Sequence, residues 1–140
     1  MTQEEKQLLI KDICARVPYG VECNALLKQI DGSFKSVFGT FKGYNGWATI
    51  GNSLVDIETV KPYLRPMSSM NEEEIRKLSK ILNYEFYTDD DFALVAEDGR
   101  HRIRLDLIEA YTDWLLSHHF DYRGLIEMGL AFEAPKGMYK

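Results

Sequence analysis

The sequence predicts an α+β protein: a small antiparallel β-sheet or partial barrel with an N-terminal helix and a C-terminal helical layer. Three observations predict it. The opening residues repeat apolar side chains at helical spacing; residues 20–57 are aromatic-rich and broken by turn residues; helical spacing returns after residue 70. Helical and strand patterns come in blocks rather than strict alternation, the mark of α+β architecture. The 140 residues, 45% hydrophobic and 28% charged, suit one domain (1–140) with a core that needs neither metal nor disulfide.

The elements follow in order. Thr2 and Glu5 fit a capping box, in which each side chain accepts from the other's free backbone N–H. Leu9, Ile10, Ile13, Cys14 and Val17 continue that helix, and Pro18 and Gly20 end it. From Gly20 to Ile57, Asp31-Gly32, Asn45-Gly46 and Gly51-Asn52 supply turns. Between them Val37, Phe38, Phe41, Tyr44, Trp47 and Ile50 favour strands. Residues 1–60 therefore read as a helix plus a meander of short antiparallel strands. The segment 61–70 reads as a connector, because Pro62 and Pro66 disfavour both helix and central strand.

Residues 71–140 read as helices with a β-hairpin. Asn71 and Glu74 form a second capping box, and Ile75, Leu78 and Leu82 an inner stripe. "FALVA" and "HRIRL" flank the turn "EDGR" as a hairpin. A third helix follows, with Leu107, Ile108, Tyr111, Trp114, Leu115 and His118 on one broad face. The stretch "SHHFDYRGLIEMG" then ends that helix at its histidines. Asp121 reads as the N-cap of a short helix that Gly129 closes. The tail packs as a strap through Phe132, Met138 and Tyr139.

The function classes narrow by charge and motif. A net charge of −5 disfavours a protein that coats nucleic acid. The first residues are polar and acidic, unlike a signal peptide, and no apolar run reaches the ~20 residues of a membrane span. Cys14 and Cys23 form no CxxC pair. The expected setting is a reduced, cytoplasmic one. No HExxH, P-loop, GxSxG or dinucleotide-binding glycine pattern occurs, so no cofactor is expected.

Three groups remain as site candidates. Arg100, Arg102 and Arg104 alternate along one strand face, ~7 Å apart, and could grip phosphate or an acidic partner; Tyr122 and Arg123 join them because local helix geometry does not require their side chains. These residues support a non-enzymatic binding protein, acting on a protein partner or small anionic ligand, or assembling as a homo-oligomer. The alternative is a small barrel binding nucleic acid through Lys35, Lys42, Tyr44 and Trp47. The weakest is a metal-dependent hydrolase or nucleotide-modifying enzyme using His118, His119 and Asp121, since adjacent histidines diverge by roughly 100° on a helix.

Three blocks, "EEKQLLIKDICARVPYGV", "KPYLRPMSSMNEEE" and "HHFDYRGLIEMGLAFEAPKGMY", resemble a group of uncharacterised short proteins. That group is encoded by Bacteroides-type gut bacteria and their phages or mobile elements. The resemblance implies a phage or mobile-element setting and an accessory role. It carries no catalytic residues with it.

Overall fold

The computed structural model describes residues 1–82, 86–88, 94–96 and 105–139. In chain order the elements are α1 (Gln3–Ala15), β1 (Glu22–Lys28), β2 (Phe34–Tyr44), β3 (Ala48–Ile50), β4 (Ser53–Val55), β5 (Lys61–Pro66), α2 (Glu72–Leu82), β6 (Phe86–Thr88), β7 (Leu94–Ala96), α3 (Leu105–Ser117), β8 (Phe120–Asp121) and β9 (Phe132–Glu133). The α+β class stands. The chain forms two compact units: residues 1–67 with 116–140, and residues 68–115.

The first unit is built on a mostly antiparallel sheet in the order β4-β3-β2-β1-β5-β8, with β9 also paired to β5. The capping box at Thr2 and Glu5 starts α1. Leu9 and Ile13 on α1 meet Val21, just before β1, and Cys23 and Ala25 of the sheet in the core. The long β2 is bent by a bulge between Phe41 and Gly43, and β4 comes round to pack on β1. Gly39 permits that curl: a Cβ there would lie 3.3 Å from the backbone nitrogen of Gly51, in the β3–β4 turn.

The segment read as a connector is in fact strand β5, inside the sheet. Its prolines are tolerated because little ladder is asked of them. Pairing with β1 covers only Cys23↔Pro62 and Asn24↔Lys61, and Pro66 is the last residue of the strand. The short helix expected after Asp121 is also absent, since residues 122–131 form turns. Asp121 instead accepts from Leu125 N–H and Ile126 N–H, both at 2.9 Å. Gly129 does close a single turn. Its φ is +75°, its N–H donates to Ile126 and Leu130 N–H donates to Leu125, the Schellman pattern.

In the second unit the capping box at Asn71 and Glu74 starts α2. Leu78 is buried but Ile75 is 49% exposed, so the expected inner stripe is narrower at that end. β7, cut from "FALVA", pairs antiparallel with β6. Most of "HRIRL", with Arg100, lies outside the described residues, and Leu105 already belongs to α3. The side chains of Leu82 and Leu107 also lie outside them. Of the expected α3 face, Trp114 and Leu115 are buried and Ile108 is exposed.

Candidate functional site

Two groups of side chains stand out in the first unit: a buried cluster of charge, and a row of aromatic rings on the outer face of the sheet. The buried cluster begins on α1. Leu9, Asp12, Ile13 and Arg16 fall at the spacing of one helix face, and all four are 0% exposed. Arg16 Nε donates to Asp12 Oδ2 at 2.8 Å, and Arg16 Nη2 to Asp12 Oδ1 at 3.2 Å. The same Nη2 donates to the Phe120 carbonyl at 2.7 Å, so α1 is tied to β8. Arg123 Nε completes the set, donating to Asp12 Oδ1 at 3.1 Å, while its guanidinium lies 4.7 Å from the Tyr122 ring centroid. Arg123 is thus engaged by the interior rather than held out to solvent. A carboxylate shared by two guanidiniums is the arrangement that makes a buried ion pair tolerable.

His119 lies beside this cluster. It ends α3 in the left-handed region at φ +64°, with its N–H donating to Leu116. Its ring stacks on Tyr139, with centroids 3.6 Å apart and planes at 16°. Burial, then the positive charges of Arg16, His118 and Arg65, hold its pKa down to about 4, so the ring is neutral at pH 7. The Tyr139 hydroxyl accepts from Glu22 N–H at 3.0 Å and donates to the Tyr63 carbonyl at 2.7 Å. It therefore stitches β1 to β5 where their ladder is shortest. His118 turns its Nδ1 to Ser117 Oγ, and both Asp121 oxygens are taken by backbone amides. Among the described residues no three His, Cys, Asp or Glu side chains are placed to hold a metal ion, so His118, His119 and Asp121 are not brought together as ligands. Cys23 is buried in the core, where desolvation and Glu22 push its thiol pKa up.

The outer face follows from register. Cys23 and Ala25 point inward, so Asn24, Leu26 and Lys28 point outward. Their partners Phe38, Ser36 and Phe34 share that side of β2. Asn24 also pairs with Lys61, which puts Lys61 and Tyr63 on the same side of β5. Tyr63 in turn pairs with Phe132 on β9. The result is a row across the sheet: Phe38 to Tyr63 at 5.9 Å between centroids, and Tyr63 to Phe132 at 5.5 Å. Phe38 is 59% and Phe132 41% exposed. Lys61 Nζ sits 5.1 Å from the Phe132 centroid, and Lys28 is exposed at the end of β1. Phe132, expected to pack inward with the tail, lies on this open face instead.

The residues first associated with nucleic acid are scattered. Tyr44 packs against the core, and Trp47 is exposed in the β2–β3 turn. Lys42 is exposed at the bulge. Lys35 alternates with Phe34 and Ser36 and so points away from the aromatic row. Arg100, Arg102 and Arg104 lie outside the described residues. Sequence reasoning missed Asp12, Arg16 and Tyr63, and placed Tyr139 only as a packing residue of the tail. The signal for the first two was present, since both sit on the apolar stripe of α1; the aromatic row needs the strand register. No protein-family model matches the chain, and comparison with curated proteins and with solved structures returns no match. Among the described residues no helix is long and apolar enough to cross a membrane.

Proposed function

We propose that this protein is a non-enzymatic binding module that docks an anionic partner on the outer face of its sheet. One observation carries the reading: the exposed rings of Phe38 and Phe132 are aligned across β2 and β9 through half-buried Tyr63 on β5, beside Lys61 and on the same face as Lys28, in a chain whose net charge is −5. Scattered exposed apolar residues are ordinary, but a contiguous aromatic patch is a recognition surface. Lys61 lies at the row and Lys28 on the same face at the end of β1, opposite Phe34; Glu22 shares the face and accepts from Thr40 Oγ1 at 2.6 Å.

The buried cluster supports this role from beneath. Arg16, Asp12 and Arg123 lock α1 to β8, and Tyr139 locks β1 to β5, so the row stands on a fixed base. The setting we propose is the cytoplasm, which suits the free Cys14 and Cys23. An accessory role in phage or mobile-element biology fits the resemblance of the three sequence blocks.

The test uses heparin as a polyanion without bases. The wild-type protein binds it at low salt, and affinity falls steeply as salt rises. The paired substitution Lys28→Glu and Lys61→Glu abolishes binding without changing the melting temperature. Heparin binding that survives this pair of substitutions contradicts the proposal.

A further inference from the structure

We infer that the anionic partner is a single-stranded nucleic acid, with bases stacked on Phe38 and Phe132 and phosphates on Lys28 and Lys61. This rests on the reading of the sheet face as the docking surface. The chemistry of the face selects among occupants. Phe38 and Phe132 are the exposed ends of the row, and half-buried Tyr63 bridges them. Every base offers a flat π-face, and exposed rings on a sheet receive such faces without sequence readout. The spacing of the row is set by strand geometry, so successive rings are presented at a fixed interval rather than on a mobile loop.

The lysines favour an anionic occupant over a second copy of the same face, which brings its own lysines. A nucleic-acid strand alternates apolar faces with negative charge, which matches rings beside Lys61 and an apolar path through Leu26 and Phe34 that leads to Lys28. Duplex DNA hides its base faces and gives the rings nothing to stack on. The face is therefore suited to an unpaired strand. Phe34 and Leu26, also outward on the same side, extend the apolar path toward the β1–β2 turn.

The experiment compares three probes on the full chain: an oligothymidylate of about 15 nucleotides, an abasic strand of the same length and charge, and heparin. Fluorescence anisotropy reads the first two, and heparin competes. The expected result is that the oligothymidylate binds roughly tenfold or more tightly than the abasic strand. Phe38→Ala with Phe132→Ala removes that preference while abasic binding persists, and Phe38→Trp retains it. Equal affinity for the two strands overturns the inference. So does a preference that survives loss of both rings. Heparin binding without any preference for bases is the pattern of an acidic protein partner; it overturns the inference and leaves the docking surface standing. Failure of all three probes removes both.

Discussion

Asp12 is the residue on which the interior turns. Its carboxylate is 0% exposed and accepts from two arginines, one of them fully buried. Asp12→Ala leaves the Arg16 guanidinium buried beside no countercharge, a change that costs about 3–5 kcal/mol. Urea unfolding will show that loss as a lower midpoint at unchanged slope. His119 makes a different prediction. Its folded pKa of about 4 lies below the ordinary imidazole value, so the unfolded chain binds its proton first as pH falls. Its contribution is complete above about pH 6.5 and is lost as pH falls from there toward 4. Melting at pH 7 and at pH 4.5 measures it. The fall in melting temperature is smaller in His119→Asn, whose side chain tolerates the left-handed backbone and carries no proton. Local rules made much of this scale legible in the sequence: both capping boxes occur as their residues specify, and Gly129 has its closing role, though on a single turn rather than the expected helix. The burial of Asp12 and Arg16 was harder to read, because charged residues are almost never fully buried unless paired. Their partners, Phe120 and Arg123, lie more than a hundred positions away.

Among the secondary elements, β5 is the least expected and the most consequential. Its prolines hid it from propensity arguments, and tertiary context admits it. Pro62 cannot donate, and the β1–β5 ladder spans two residue pairs. Tyr139 supplies what the ladder lacks, taking Glu22 N–H and giving its proton to the Tyr63 carbonyl. Tyr139→Phe leaves both backbone groups without that partner, which predicts a loss of about 2 kcal/mol. Hydrogen exchange should quicken at Glu22 in this variant more than in β3. Unchanged exchange at Glu22 would show that the hydroxyl is not the stitch. The tail is thus structural through Tyr139, and Phe132 belongs to the proposed docking face, a division the sequence did not reveal.

Across the whole chain, the sequence supported an α+β protein with a curled antiparallel sheet, and that class is what the described residues form. The proposed docking face was not legible, because it is a product of register. Phe38, Tyr63 and Phe132 come from three distant segments, and only the pairings Asn24↔Phe38, Asn24↔Lys61 and Tyr63↔Phe132 bring them into line. Sequence reasoning looked instead for cations and rings close together along the chain. That search found Lys35, Lys42, Tyr44 and Trp47, which the strands point in different directions. The most direct test of the account is a heparin oligosaccharide titration followed by backbone amide chemical shifts. The account predicts that the perturbed residues cluster at Lys28, Phe38, Lys61, Tyr63 and Phe132. Perturbations that leave these residues unmoved and gather at Arg100, Arg102 and Arg104, or around Tyr122 and Arg123, would contradict it.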